Sequence, residues 1–212
     1  MKRIILLAAV GLWAMAPDQL HAQWTVGPHI LISFPNSDFA NVTKTGGGFG
    51  IKVARNLSPV GGLGLRGDFA FLSYGRDYTT VQSTVGPLFA QKRYQGLRLT
   101  FGPQYEIGTR NFKAHAEALG GFFLFRTDIS IDTGLQVFTT SSDNEAALGW
   151  NVGGGFMYDI GLGPWLDVAL EYQSIYNVPA PQADPSNPGA TIKRDITAHE
   201  ITLKVGVIFF LK

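Results

Sequence analysis

Apolar and polar residues alternate along most of this 212-residue chain, and the last segment shows the pattern clearly. In HEITLKVGVIFFLK, large apolar residues occupy every second position from Ile201 to Leu211, and Glu200, Thr202 and Lys204 stand between them. Successive side chains of a strand point to opposite faces, so this period of two predicts a strand with one apolar and one polar face.

The same alternation recurs along the chain and predicts eight strands separated by turn-rich segments. The predicted strands are residues 24–34, 48–56, 62–74, 94–105, 112–125, 147–159, 165–176 and 199–211. Short connections (NLSPVG, EIGTRN and IGLGP) alternate with four long ones. An even strand number with this asymmetry is typical of an outer-membrane barrel that has short periplasmic turns and long outer loops. We therefore predict an all-β fold, an up-and-down antiparallel transmembrane barrel.

The first residues predict a secretory signal peptide. Lys2 and Arg3 precede an apolar run, Pro17 interrupts it, and small residues lie near Ala22. The run is shorter than the ~20 residues that a membrane-spanning helix needs. We expect residues 1–22 to be a cleaved signal peptide and residues 23–212 to be a barrel domain, exported through the periplasm to the outer membrane.

Composition supports this class of protein. The chain has 17 basic and 16 acidic residues, and the two are equal in number once Lys2, Arg3 and Asp18 are set aside, so no charge excess points to nucleic acid. There are 26 glycines, 12% aromatic residues and no cysteine, and charged residues make up 16% of the chain against about 25% in soluble domains. Glycine, aromatic residues and few charges together favour a membrane barrel.

The two faces of the predicted strands differ in side-chain size. One face is bulky and uncharged, as in Phe49, Ile51 and Val53, whereas the other mixes charged residues with glycine and alanine. An eight-stranded barrel has an interior just wide enough to be filled by side chains, so we assign the mixed face to the lumen and the bulky face to lipid. Because an isolated buried charge is costly, we predict that the lumen holds a structural ion-pair network. Its members are Lys52, Arg66, Asp68, Arg98, Lys113, His115, Glu117, Asp159, Asp167, Glu171, Glu200 and Lys204.

Aromatic residues lie near both ends of the predicted strands. Trp and Tyr favour the two membrane interfaces, so these positions predict two aromatic girdles, although aromatic residues also favour strands in general. The predicted girdle residues are Trp24, Phe34, Tyr74, Tyr94, Tyr105, Phe112, Phe125, Trp150, Tyr158, Trp165, Tyr176 and Phe209.

Two further segments carry local expectations. Pro28 and Pro103 fall inside predicted strands, where proline removes a ladder hydrogen bond, so those strands are expected to be bulged, shortened or shifted in register. In the third long loop, Ile129 and Ile131 alternate with polar residues and a turn-forming AspThrGly follows. This pattern predicts a hairpin that extends the barrel wall, with a mobile loop as the alternative.

Several stretches resemble the small outer-membrane β-barrel family, the OmpA-type transmembrane domain and OmpX-like proteins. They are GLGLRGDFAFLSYG, HAEALGGFFLF, ALGWNVGGGFMYDIG and the terminal ITLKVGVIFFLK, which is similar to the assembly signal of the family. The resemblance implies an integral outer-membrane barrel of the porin family in a Gram-negative cell envelope. It also implies contact with the barrel-insertion machinery during assembly.

No catalytic, cofactor-binding or metal-binding residues are predicted. His115 and Glu117 share one strand face, but no serine lies nearby on that face, so an ion pair is favoured over a catalytic dyad. The His-x-Ser pair of lipid A deacylase barrels, to which this chain is similar in size, does not occur. Asp128, Asp132, Asp143 and Glu145 indicate a solvated loop rather than a calcium site.

The leading hypothesis for function is a non-enzymatic, monomeric surface barrel with a filled polar lumen. Its partners are outer-membrane lipid and an external protein or surface ligand bound by the long loops, or its role is envelope integrity. The alternatives are a narrow channel or transporter, an accessory barrel of a secretion system, and a lipid-modifying enzyme. Fold alone does not separate them.

Overall fold

The computed structural model describes residues 23–41, 43–57, 62–75, 77–83, 86–132, 137–161, 163–183 and 191–211. Nearly all of them lie in strands, as the alternation predicts. The strands are β1 Gln23–Asn36, β2 Gly46–Asn56, β3 Gly62–Tyr74, β4 Asp77–Ser83, β5 Gly86–Gly108, β6 Phe112–Asp132, β7 Val137–Asp159, β8 Trp165–Ala183 and β9 Thr191–Leu211. A short helix, α1, spans Ser37–Ala40.

Eight of these strands form a closed antiparallel barrel. Consecutive wall strands pair with each other, β3 pairs directly with β5, and β1 pairs with β9 from Trp24 opposite Leu211 to Asn36 opposite His199. Closure gives each described wall strand a pairing partner on both sides, so the wall has no free edge. The predicted up-and-down β-barrel is therefore confirmed.

The short connections lie at one end of the barrel, here called the turn end, and the long connections lie at the other, the loop end. Short segments join β2 to β3, β5 to β6, and β7 to β8. In the last of these turns Gly161 and Gly163 have φ angles of +76° and +97°. Only glycine adopts these angles at little cost, so both residues fix the turn.

At the loop end the strands run well past their predicted limits. β5 begins at Gly86, β6 continues to Asp132, and β7 begins at Val137. β4, which was predicted to be part of a long loop, pairs with β5 from Asp77 opposite Lys92 to Ser83 opposite Gly86. β6 and β7 pair throughout this region, with a register shift between Ile129 and Ser130, so the predicted hairpin of the third long loop is confirmed.

The two prolines affect the pairing less than predicted. Pro28 pairs in register with Ile51, and Pro103 pairs in register with Leu65. On the opposite sides of these strands each ladder has a gap of two residues. Gly27 and Pro28 have no pairing partner on β9, and Gly102 and Pro103 have none on β6. Beyond each gap the pairing continues in the same register. Neither strand is bulged or shortened at its proline. Each missing N–H therefore interrupts one ladder locally while the neighbouring strand holds the register.

The helix α1 was not predicted. Asn36 caps it, since its side-chain oxygen accepts a hydrogen bond from the Ser37 N–H at 2.7 Å. Phe39 at its centre is fully buried at the loop end. Among the residues that the structure describes, no helix is long and apolar enough to cross a membrane.

Candidate functional site

The lumen brings together most of the charged residues that the alternation assigns to it. On the predicted inward positions of β2, β3, β5, β6, β8 and β9, the charged side chains are almost fully buried. They come from strands that are far apart in the chain, so they meet only because the barrel closes. These buried lumen residues are Lys52, Arg66, Asp68, Arg98, His115, Glu117, Asp167, Glu171, Glu200 and Lys204.

At the centre, two carboxylates share three cations; we call Arg66, Asp68, Arg98, Glu171 and Lys204 the central cluster. Asp68 lies 3.0 Å from Arg66 Nη2, 3.1 Å from Arg98 Nη2 and 2.8 Å from Lys204 Nζ. Glu171 lies 3.4 Å from Arg66 Nη2 and 3.2 Å from Arg98 Nη1, and it also pairs with Lys204. Each buried charge therefore has several opposite charges around it, which offsets the cost of burial.

A second group continues from this cluster towards the turn end. Nδ1 of His115 lies 2.7 Å from Glu117, and Nε2 lies 2.9 Å from Asp167. Lys52 donates to the other oxygen of Asp167 at 2.5 Å, and Arg66 joins Glu117 to the central cluster at 3.0 Å. A histidine that hydrogen-bonds two ionised carboxylates must carry a hydrogen on both ring nitrogens, so this geometry suits an imidazolium.

Glu106, which sequence reasoning missed, organises the polar groups nearest the turn end. It accepts hydrogen bonds from Asn56 at 2.9 Å and from Gln104 at 2.5 Å, and Lys113 Nζ lies 3.6 Å away. The predicted strand ended at Tyr105, and Glu106 was assigned to the short connection EIGTRN. Gln104 and Glu106 continue the two-residue alternation of inward-facing positions, and this was the signal that the strand continues.

At the other end of the polar region, Glu200 is bound by hydroxyl groups. Tyr74 donates to it at 2.8 Å, and Ser33 donates to the same oxygen. His29, which was not assigned to the lumen, is also buried there and lies 3.9 Å from Asp68. The inward residues of β1 were missed because the expected disturbance at Pro28 left its register unassigned.

Two apolar layers, which were not predicted, border the polar region of the lumen. At the loop end, Phe39 contacts Tyr74 edge-on with ring centroids 5.4 Å apart and Phe125 at 6.2 Å. The buried cluster around them also contains Leu31, Ala70, Leu72, Tyr94, Phe123, Ala147, Ile175, Val178, Ile196 and Ala198. At the turn end, Met157, Trp165 and Ile208 form a smaller cluster against which Phe210 packs.

Four predicted girdle residues are corrected by this arrangement. Tyr74, Tyr94, Phe125 and Trp165 are buried inside the barrel and do not face outward. Each shares the inward period of its strand, as Tyr74 does with Asp68 on β3 and Trp165 with Asp167 on β8. Their position near a strand end suggested a girdle, but the period of two decides the face.

The other predicted girdle residues lie on the outer wall, with 37% to 55% of their surface exposed. They stand beside the apolar band of exposed Ile, Leu, Val and Phe side chains that encircles the barrel. These outward residues are Trp24, Phe34, Tyr105, Phe112, Trp150, Tyr158, Tyr176 and Phe209.

Asp159 is also corrected as a member of the ion-pair network. Its Oδ1 accepts a hydrogen bond from the backbone N–H of Gly161 at 2.8 Å, and its side chain is half-buried. It therefore closes the turn between β7 and β8, because β7 ends at this residue. Lys113 stays at the edge of the lumen, with its ammonium 5.1 Å from the ring of Phe210 and 5.5 Å from that of Trp165.

The chemistry of the site is that of paired charges. Both described hydrogen bonds of the His115 ring are to carboxylates. To activate a hydroxyl nucleophile, the ring would have to hydrogen-bond that hydroxyl instead of one of the carboxylates. Within the described ranges, no group of three or more His, Cys, Asp or Glu side chains is arranged to hold a metal ion.

Comparisons with known proteins agree with the barrel. A family model described as the outer membrane protein beta-barrel domain matches residues 4–209. The crystal structure of Ail, the attachment invasion locus protein of Yersinia pestis, superposes with a TM-score of 0.51 at 16% identity, covering 89% of this chain and 99% of that chain.

Two further solved structures show the same kind of similarity. Ail in complex with the heparin analogue sucrose octasulfate gives a TM-score of 0.50 at 14% identity, covering 89% of this chain and 99% of that one. The outer membrane protein OprG of Pseudomonas aeruginosa gives 0.49 at 16% identity, covering 90% and 96%. A comparison with curated proteins gave no match.

Proposed function

Because the chain belongs to the family of outer membrane protein β-barrel domains, we propose that it is a non-enzymatic surface protein whose extended strands bind an external protein. The chain is an integral outer-membrane barrel, and its loop end faces the outside in this proposal, since the short turns of such barrels are periplasmic. The observation that carries the proposal is the continuation of β4 to β7 beyond the closed wall.

The interior supports a structural role for the barrel rather than transport. The central cluster fills the middle of the lumen with five buried and mutually paired side chains. The apolar layer around Phe39 lies on one side, and that around Trp165 lies on the other. A solute would have to separate these pairs and both layers, so the lumen is closed to solutes. The geometry around His115 likewise suits a structural ion pair better than an active site.

Within the described residues, the extensions of β4 and β7 each pair with another strand on one side only. β7 pairs with β6 from Val137 onward, but its described pairing with β8 starts only at Leu148, so one side of residues 137–147 has no described strand beside it. β4 likewise pairs with β5 on one side, and no described strand pairs with its other side. An exposed strand edge is a template on which a partner can add a strand of its own.

A protein strand fits these edges better than a polyanion does. Ail was crystallised with the heparin analogue sucrose octasulfate, which is strongly anionic. In this chain the extensions of β4 to β7 carry more acidic than basic residues, so their sequence has no excess of positive charge to attract a polyanion. The basic residues are Lys92, Arg93 and Arg126, and the acidic ones are Asp77, Asp128, Asp132, Asp143 and Glu145.

The remaining parts of the proposal follow from the closed wall. Since the wall has no free edge, the barrel needs no second copy to complete its pairing and is a monomer. Its outer face contacts membrane lipid, and its last strand, which pairs with both β1 and β8, is the one presented to the insertion machinery during assembly.

The test uses peptides as probes of the strand edges. Random extended peptides displayed on phage are selected against the protein in nanodiscs, and the selected peptides are then followed by amide hydrogen exchange. We expect slower exchange on alternate residues of 137–147 or of β4, as strand addition requires. Selected peptides that slow exchange only elsewhere, or that bind equally to a protein lacking residues 127–143, would contradict the proposal.

A matched pair of proline variants sharpens the test. Asp143 and Asn144 lie in a regular part of the ladder, opposite Thr127 and Arg126. Of two successive residues in a strand, one donates its N–H to the neighbouring strand and the other points its N–H away. We expect one of Asp143→Pro and Asn144→Pro to disturb the hairpin, and the other to leave the hairpin intact while abolishing peptide binding.

A further inference from the structure

Four rings on the outer wall surround a single serine. On β8, Ser174 pairs with Trp150 of β7 and with His199 of β9, and Tyr172 and Tyr176 flank it two positions away on its own strand. Ser174 has the outward period of Leu166, Val168 and Leu170, yet only 2% of it is exposed. The side chains around it therefore cover it. We call Trp150, Tyr172, Tyr176 and His199 the aromatic patch.

The rings of the aromatic patch hold one another in place. The Trp150 indole N–H donates to the Tyr176 hydroxyl at 2.8 Å, and the Tyr172 hydroxyl lies 2.9 Å from His199 Nδ1. The Tyr172 and His199 rings stack with centroids 5.9 Å apart and planes 15° apart, and Trp150 and Tyr172 are 5.8 Å apart. The two hydrogen-bonded pairs thus form one continuous unit, pre-organised rather than assembled on binding.

This unit remains accessible although its rings are fixed. Exposure is 37% for Trp150, 36% for Tyr172 and 46% for Tyr176. At the turn end the wall carries a different kind of aromatic contact, the stacked pair of Phe112 and Phe156 with centroids 5.5 Å apart. That pair has no polar atoms, whereas the aromatic patch offers two hydroxyls, an indole N–H and an imidazole.

The aromatic patch lies where the apolar band ends. On β9 the outward positions are apolar from Phe209 to Ile201 and become polar at His199, Thr197 and Asp195. On β8 the register shifts between Ile175 and Val178, and Asn177 takes a φ angle of +57°, so Tyr176 and Asn177 are both exposed. In a membrane this boundary is the level of the lipid headgroups.

We propose that the aromatic patch binds the sugar headgroup of a glycolipid in the outer leaflet. A sugar ring has an apolar C–H face that packs on aromatic rings, and hydroxyls that hydrogen-bond the polar edges of Tyr and His. The four residues include no Lys or Arg to pair with a phosphate and no Asp or Glu to pair with an ammonium group. The proposal takes from the proposed function only the outward orientation of the loop end.

The test measures lipid selectivity in phosphatidylcholine nanodiscs into which rough-type lipopolysaccharide is titrated. The reporter is the indole N–H resonance of Trp150. We expect this resonance to shift on titration, and we expect Trp150→Ala and the milder His199→Gln each to reduce retained lipopolysaccharide by about tenfold or more, equivalent to about 1.4 kcal/mol. Phe156→Ala, the matched control at the turn end, should leave retention unchanged.

Three results would overturn the proposal. Equal loss of lipopolysaccharide in Phe156→Ala would mean that aromatic residues anchor the barrel without selectivity. An equal Trp150 shift with added phosphatidylethanolamine would mean that an ammonium headgroup suffices. If soluble core oligosaccharide at the same concentration also shifts the Trp150 resonance, the ligand is a free glycan and not a glycolipid. None of these results bears on the strand-edge binding of the proposed function, so either proposal can fail without the other.

Discussion

The ammonium of Lys204 on β9 lies 2.8 Å from the carboxylate of Asp68 on β3, although 136 positions separate the two residues in the chain. Between these strands in the sheet lie β2 and β1, so the contact crosses the lumen rather than following the wall. Lys204 also pairs with Glu171 on β8. One side chain thereby links three strands, and the centre of the barrel depends on it.

Removing this ammonium should destabilise the barrel. Lys204→Met leaves Asp68 and Glu171 with one cation fewer in a buried site, and breaking a buried ion pair by removing one partner costs about 3 to 5 kcal/mol. The free energy of unfolding in urea with lipid vesicles measures the effect. Leu203→Met, a substitution of similar volume at the next position, should cost less than about 1.5 kcal/mol. Equal stability of the two variants would contradict the role of the central cluster.

Neighbouring positions on β9 should report opposite environments. Lys204 is 1% exposed inside the barrel, whereas Leu203 belongs to the outward face of the strand. The chain has no cysteine, so a single spin label can be placed by Leu203→Cys or Lys204→Cys. Oxygen dissolved in lipid should relax the label strongly at 203 and weakly at 204. Leu203→Arg should cost about 2 to 4 kcal/mol, and the reverse order of relaxation would show a register shifted by one.

A methyl group added inside the wall should be costly where the lumen is tightly packed. A Cβ at Gly153 would lie 2.7 Å from Glu171 Cγ and 2.7 Å from the Leu170 carbonyl oxygen. Because backbone cannot yield easily, Gly153→Ala should cost about 1 to 3 kcal/mol. At Gly120, on the outward side of β6, the nearest atom would be 3.8 Å away. Gly120→Ala should therefore be neutral, and equal costs would argue against a packed interior beside Glu171.

The apolar layer at the loop end should depend on Phe39. Phe39 is fully buried against Tyr74 and Phe125, so Phe39→Ala should cost about 3 kcal/mol or more. Amide exchange in α1 should accelerate strongly, while Asp38→Ala at the exposed neighbouring position should change little. Unchanged exchange in Phe39→Ala would mean that α1 is held by its cap alone.

Much of the wall could be predicted because the period of two is strong there. The ends of β3 at Gly62 and Tyr74 agree with the alternation, since lipid demands bulky residues on one face and the narrow lumen demands small or charged residues on the other. The same period places Tyr74 and Trp165 inside, whereas their positions near strand ends suggest a girdle. Whether a residue faces the lumen or the lipid follows from its place in the two-residue alternation of its strand, and not from its position along the barrel axis.

The loop end could not be predicted in the same way. β4 and the outer parts of β5 and β7 lie beyond the apolar band, where no lipid selects large residues, so VFTTSSDNEAA has little alternation even though it forms a strand. α1 is a single helical turn held by Asn36 and Phe39, which is too short for a helical period to appear. The partners of Glu106 likewise depend on tertiary structure, because Asn56 and Lys113 reach it from other strands.

Conductance across a planar bilayer tests most directly the central claim that the lumen of the barrel is closed to solutes. The paired charges of the central cluster and the two apolar layers predict no stable, porin-sized steps from the purified protein. They also predict that Phe39→Ala stays closed, because the charged centre remains in place. Reproducible steps on the nanosiemens scale from the wild-type protein would contradict the closed lumen and favour a channel.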